Sequence, residues 1–323
     1  MNQGLPPVEP KLWDKPLQEL GGSFLQSRPW GQFQLALGRE PVWAQGEGWQ
    51  WLAGIRVSRG LRYLMCSYGP VASSSAAMTT AMRSLMTAAS ELNIDFVRVE
   101  PQTRATADQL LKLGACQISE ADPEHTRIIN LKQDEKTLRA NLASGHRNLI
   151  NGTERRGITI KAMTNAAGVD VLYPMLQDTA KHAHVTFYPK AYYQTLVDEL
   201  ASATCLYVAE AEGQPVAAAL FYDWGGTRYY AHAGAYQEAN RRIKASVSLV
   251  WQAILDAKTL GIEHFDLWGT ASEGDTKHPF AGITKFKVAF GGEPVDYLGT
   301  WDIPLKRHKY KAYGVYRRLR GRS

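Results

Sequence analysis

Apolar positions along this chain recur with two different periods, and each period predicts a different element. Met78, Met82, Leu85, Met86 and Ala89 recur three and four apart, which predicts a helix over 78–92. Val247, Val250, Trp251, Ile254 and Leu255 repeat that spacing and predict a second helix over 245–260. At Ser27-Arg28-Pro29-Trp30 a hydroxyl cap and a first-turn proline open a helix with Trp30, Phe33 and Leu37 on one face. Weaker helical spacing covers 105–113, 132–149 and 188–200. Short apolar or alternating runs bounded by turn residues predict strands at 42–44, 49–57, 62–67, 96–99, 126–129, 158–160, 206–209, 216–222, 229–233 and 264–268. The run 282–292, with Lys285 and Lys287 on one side and Phe286 on the other, also reads as a strand. Pro6, Pro7, Pro10 and Pro16 leave the first sixteen residues a poor start for any regular element.

The order strand hairpin, helix, strand occurs twice. It is the order of an acetyltransferase-like αβ unit, so the expected fold is mixed α/β with two tandem GNAT-like units around a central cleft.

Length and composition agree with that plan. The 323 residues, 45% hydrophobic and 21% charged, suffice for two apolar cores. The net charge of +6 is lopsided, because residues 306–323 hold eight Lys/Arg and no Asp/Glu. Such a segment attracts phosphate on RNA, a nucleotide or a lipid, and is equally compatible with a solvated terminus. Cys66, Cys116 and Cys205 are too dispersed for a disulfide framework or a metal site. His182 and His184 lack a carboxylate or thiol at completing spacing. The first thirteen residues do not form a signal peptide, and no run approaches 18 apolar residues. The expected place of action is the cytoplasm, with peripheral contact at the inner membrane face as an extension. Neither a Gly-rich phosphate loop nor a nucleophile elbow is present, and no cofactor is expected.

The motifs that remain occur in an ordered set. Phe24-Leu25-Gln26-Ser27 with Trp30, Tyr68-Gly69-Pro70-Val71, Phe96 to Pro101, His125 to Leu131, Gly145 to Ile150, Gly261 to Gly269 and Gly282 to Gly292 run through nearly the whole chain. Together they resemble the Fem family of peptidoglycan-bridge, tRNA-dependent aminoacyltransferases. The resemblance implies transfer of an amino acid from aminoacyl-tRNA to the side-chain amine of a UDP-linked or lipid-linked muramyl-pentapeptide by a monomer. It implies an acceptor-binding first unit over 1–151, rejoined by 304–323, and an aminoacyl-tRNA unit over 152–303. Departures fall in the acceptor half. Gln34 stands where the family offers a lysine to a precursor phosphate, Tyr68 where it has an arginine, and Glu100 where it has an aspartate.

The candidate site follows from chemistry and resemblance together. Aminoacyl transfer develops negative charge on the attacked carbonyl oxygen, and the resemblance gives Lys287 the role of stabilising it. Phe286 anchors the lysine's backbone. Read without the resemblance, the same residues are an ordinary alternating strand. Glu100, at a strand end before Pro101, is placed to orient the amine or take its proton, or to form a turn ion pair. Tyr230 and His232 alternate on one strand face and match a pair of tyrosines that contact precursor and aminoacyl end, with His232 also a base candidate. Arg147 is the phosphate-binding candidate at the crossover, with Gln34 and Tyr68 completing the acceptor contacts. Asp266 and Asp302 read as structural anchors, and Gly291-Gly292 as a turn. Two other functions stay open: an acyl-CoA-type N-acyltransferase, and a non-catalytic RNA-binding protein using the tyrosines and basic residues of the C-terminal segment.

Overall fold

The computed structural model describes the chain apart from residues 1, 8, 104–105, 164–166, 184–185 and 321–323, and apart from the side chains of 183 and 316–320. It divides into two compact units, 1–124 with 297–323, and 125–296.

In the first unit the strands Asn2–Gln3, Pro41–Gly46, Trp49–Ser58, Leu61–Cys66, Phe96–Val99, Trp301–Pro304 and Cys116–Gln117 lie in that spatial order. Neighbours are antiparallel except Leu61–Cys66 with Phe96–Val99, which run parallel and are joined by the helix Ser75–Glu91. A parallel pair needs such a crossover. Ser74 caps that helix through Ala77 N at 3.1 Å. Its stripe of Met78, Ala81, Met82, Leu85, Ala88 and Ala89 is buried against Val42, Trp51, Leu64, Val97 and Val99.

The second unit repeats the device. Its sheet orders the strands Glu293–Asp296, His125–Asn130, His264–Asp266, Thr227–Ala235, Gln214–Trp224, Thr204–Ala211 and Ile158–Met163. The parallel pair is Thr227–Ala235 with His264–Asp266, and the helix Ala245–Thr259 makes the crossover. Val247, Val250, Trp251 and Ile254 are buried on the sheet through Tyr207, Phe221 and Phe265.

Three sequence expectations are corrected. The chain leaves the first unit between Glu124 and His125, not near 151, and returns at Tyr297, not 304. The cause is pairing: His125–Asn130 bonds to His264–Asp266 and to Glu293–Asp296 and buries Ile129 in the second core. Residues 125–151, Arg147 included, therefore belong to the second unit. The run expected as a strand over 282–292 is instead a helix, Ala281–Val288. It ends before Gly291 and Gly292, at φ +85° and +79°, where a Cβ on Gly292 would lie 2.7 Å from the Ile128 carbonyl oxygen. The helix Ala167–Ala183 was not expected, because Pro174 inside it masks the helical spacing of Val169, Leu172, Met175 and Leu176.

That last helix sits so near the strand Thr227–Ala235 that a Cβ on Gly234 would lie 2.5 Å from Leu176 N and 2.6 Å from Met175 C. Backbone on both sides leaves no flexible group to give way. Gly234→Ala should therefore lower stability by about 1–3 kcal/mol in urea titration. Gly282→Ala, in a helix with nothing within 4 Å of the added carbon, should gain about 0.5–1 kcal/mol. Equal effects at the two sites would contradict this packing.

Candidate functional site

Lys287 is buried in the last turn of the helix Ala281–Val288. Its Nζ donates to the carbonyl oxygens of Trp268 at 2.8 Å and Gly269 at 2.7 Å. It also lies 5.6 Å from the centroid of the Tyr230 ring, within cation–π reach. An ammonium has three N–H donors, so two carbonyl bonds leave one uncommitted by them.

The two carbonyls face the lysine because the chain turns sharply after the strand His264–Asp266. Trp268 takes a left-handed φ of 56°, uncommon for a bulky residue. The turn is held by Asp266, whose Oδ1 accepts from Trp268 N at 2.7 Å and from the Thr126 hydroxyl. Thr270 N donates to His125 O at 2.9 Å, and Ala271 N to Thr284 Oγ1 at 2.7 Å, fixing the following residues to a strand and to the lysine's own helix.

Burial dominates the ionisation of this pair. It pulls Lys287 down from 10.5 to about 7, against the opposing pull of Asp266. It raises Asp266 to about 6, while Thr126, the Trp268 N–H and Lys287 act to lower it. Near neutral pH the lysine thus sits at the boundary between cation and free amine.

Two cavities flank these elements. One of about 440 Å³ is lined by Thr126, Arg127, the 270–276 segment and the Thr284–Lys285 side of the helix. Another, of about 200 Å³, is lined by Tyr230, Phe286, Ile283 and the small residues Ala217–Ala219 and Ala233–Ala235.

The remaining candidates are distributed as follows. Phe286 packs against His146 and Phe290, with ring centroids at 5.5 and 5.2 Å, and reaches the smaller cavity. Because the segment is helical, exposed Lys285 and buried Lys287 point about 200° apart rather than sharing a face. Tyr230 and His232 do not share a face either. A register shift opposite Leu220 and Phe221 inserts one extra residue, so Tyr230 stacks on Phe221 in the core while His232 turns to Tyr193 and Tyr222. Burial lowers His232 to about 4, which makes it neutral and weakly basic at pH 7. Arg147 is committed to structure, donating to the carbonyls of Ala140 at 3.1 Å and Leu142 at 2.9 Å at the end of the helix Glu135–Ala140. His184 lies outside the described residues.

In the first unit Glu100 is buried, accepting from Thr300 Oγ1 at 2.6 Å and Asp122 N at 3.0 Å. Burial, then Asp122, holds its carboxyl well above the ordinary carboxylate range. Tyr68 adopts φ 50° and donates to Pro123 O at 2.5 Å. Gln34 is buried, and its Oε1 accepts from Arg39 and Arg56, each at 3.0 Å. Sequence reading missed Asp266 as the support of the turn at Lys287, the Trp268 and Gly269 carbonyls, and this arginine pair. Asp266 alone left a signal, an acid between Phe265 and Leu267 at the strand's end.

Residues 137–279 match the acetyltransferase (GNAT) domain family. The crystal structure of FemX superposes with a TM-score of 0.81 over 97% of this chain and 99% of that one, at 14% identity. The chain shares its fold with FemX. A tandem GNAT protein from the clavulanic acid biosynthesis pathway superposes with a TM-score of 0.57, 10% identity, and coverage of 94% and 98%. At these identities the likeness is one of fold. In sequence, the aminoacyltransferase FemA of Staphylococcus aureus is 26% identical over 91 residues, 28% of this chain and 22% of FemA. The match thus spans about a fifth of that relative's length.

The lysine's lowered pKa makes stability depend on pH with a definite sign. Below about 7 folded and unfolded chains both carry the proton, and the full cost of the buried cation is present. Between about 7 and 10.5 the unfolded chain binds the extra proton, so stability rises with pH, by at most about 1.4 kcal/mol per unit. Urea titrations at pH 7, 8 and 9 should show this rise in the wild type relative to Lys287→Met, whose curve should be flatter. Parallel curves would refute the assignment.

Proposed function

We propose that this chain is a tRNA-dependent aminoacyltransferase that moves an amino acid onto the side-chain amine of a muramyl-pentapeptide. The observation that carries the reading is the buried Lys287 ammonium, held by two carbonyls with one donor to spare, in a chain that shares the fold of FemX. The acceptor amine attacks the ester carbonyl of the aminoacyl-tRNA. The carbonyl oxygen becomes an oxyanion, the amide forms as the ester C–O bond breaks, and the amine's proton leaves to solvent or to the departing ribose oxygen. Lys287 supplies its remaining N–H to the developing oxyanion. Its carbonyl partners fix the ammonium beforehand, so no reorientation is required as charge appears. The smaller cavity, lined by the Tyr230 ring that Lys287 faces, is the entry we assign to the acceptor's amine arm.

The acceptor's phosphates call for a cation where the family's lysine is replaced by Gln34. Gln34 grips Arg39 and Arg56 together, and we assign that pair the phosphate contact. An acyl-CoA reading draws support from the GNAT domain match over 137–279. Against it, the first turn of the crossover helix is already occupied: Ser246 N bonds Asn240 Oδ1 at 3.1 Å and Val247 N bonds Lys244 O at 3.2 Å. A thioester's pyrophosphate would have to displace these.

Transfer assays at saturating donor and acceptor test the first assignment. Lys287→Ala should lower kcat and kcat/KM together by about 10²–10³-fold, while Lys285→Ala keeps most activity. Equal losses would remove Lys287 from the chemistry. For the acceptor, Arg56→Ala should raise KM for the nucleotide-linked pentapeptide by about 10-fold with kcat little changed, a loss near 1.4 kcal/mol of uniform binding. An unchanged KM would assign the phosphates elsewhere. If acetyl-CoA acylates the same acceptor and charged tRNA does not, the aminoacyl-tRNA reading fails.

A further inference from the structure

The helix Arg307–Arg320 sorts its residues unequally between its two sides. Tyr310 donates to Asp302 Oδ2 at 2.6 Å and meets Phe96 edge-on at 5.2 Å, and Tyr313 stacks on Phe96 at 5.9 Å. Lys306 and Lys309 face the same way, pairing with Asp95 at 3.0 and 3.3 Å. Tyr310 and Tyr313, which could otherwise stack on bases, are therefore used inside the unit. Facing outward at four-residue spacing are Arg307, Lys311 and Val315, all exposed, with Val315 58% accessible.

A second exposed segment adjoins this stripe. Leu111, Lys112, Leu113 and Gly114 end the helix Ala107–Lys112 and are all exposed, Leu111 at 57% and Leu113 at 40%. A Cβ on Gly114 would lie 3.4 Å from the Arg307 guanidinium, so the segment and the start of the basic helix are neighbours. The surface thus combines three large apolar side chains with Arg307, Lys311 and Lys112. Isolated apolar residues on a surface need no explanation, but leucines interleaved with cations match the boundary between anionic headgroups and acyl chains. Among the described residues no helix is long and apolar enough to cross a membrane.

We propose that this face of the first unit docks on an anionic lipid surface, with Leu111, Leu113 and Val315 entering the acyl boundary and Arg307 and Lys311 meeting lipid phosphates. RNA is the competing partner for a basic helix. It is disfavoured because, among the described side chains, the outward side offers Val315 with the adjoining Leu111 and Leu113 rather than aromatic residues. The proposal does not depend on the transfer reaction.

Co-sedimentation of the full chain with vesicles decides it. Phosphatidylcholine vesicles containing phosphatidylglycerol should carry the protein down, pure phosphatidylcholine should not, and added salt should weaken the binding. Arg307→Ala/Lys311→Ala should reduce partitioning by about 30-fold, and Leu111→Ser/Leu113→Ser by about 10-fold or more. Thermal unfolding should be little changed in both, since every altered side chain is exposed. Failure to bind anionic vesicles overturns the proposal. So does binding that ignores the leucine substitutions. A tRNA filter-binding assay supplies the alternative: tRNA affinity lost with the arginine–lysine variant and kept by the leucine variant, without vesicle binding, would make this an RNA surface.

Discussion

An ammonium group without bulk water must be surrounded by dipoles and an opposing charge, and the second unit is arranged around that requirement. Lys287 obtains two carbonyl oxygens only because Trp268 accepts a left-handed backbone. That turn holds because Asp266 binds the Trp268 N–H and the Thr126 hydroxyl. Three elements distant in sequence, the strands His125–Asn130 and His264–Asp266 and the helix Ala281–Val288, are thereby fixed to one another. The arrangement does not fully offset the desolvation of the lysine, as its fall to about 7 records. A cation held at that boundary is poised to gain from a new negative charge beside it.

The first unit handles buried charge differently. Asp302 receives Arg98 in a two-pronged pair at 2.7 and 2.9 Å, and the Tyr310 hydroxyl at 2.6 Å. That carboxylate is matched by a fixed guanidinium, and the pair ties neighbouring strands of the sheet. Asp302 and Asp266 look alike in the sequence, each near a strand end. Their surroundings separate them: one is neutralised within a rigid ion pair, the other supports a cation with a donor left over. The Gln34 cluster is a third case, in which one neutral amide oxygen accepts from two guanidiniums at once.

Much of the scaffold was legible because local and tertiary forces agree in it. The stripes at Met78–Ala89 and Val247–Leu255 became the two crossover helices. The strand 96–99 occurs as expected, and the hairpin strands lie within a few residues of their expected places. Elsewhere the agreement fails. The alternation in Thr284-Lys285-Phe286-Lys287 suits a strand locally, yet burying Lys287 against the Trp268 turn and Phe286 against His146 and Phe290 is satisfied by a helix. In the strand Thr227–Ala235 one bulged residue sends His232 to the face opposite Tyr230, and a bulge in a regular alternation leaves no composition signal.

By itself the sequence determined which segments are amphipathic, that the hairpin–helix–strand order occurs twice, and that cationic charge gathers at the C-terminal end. These depend on residue spacing and on covalent composition, which the chain carries with it. Tertiary structure alone decided that the strand beginning at His125 joins the second sheet, that Arg147 serves as a helix-end donor, and that Asp266 holds the turn whose carbonyls receive Lys287. Each of these depends on hydrogen bonds and desolvation between groups far apart in the chain, and no local pattern encodes the distance between such groups.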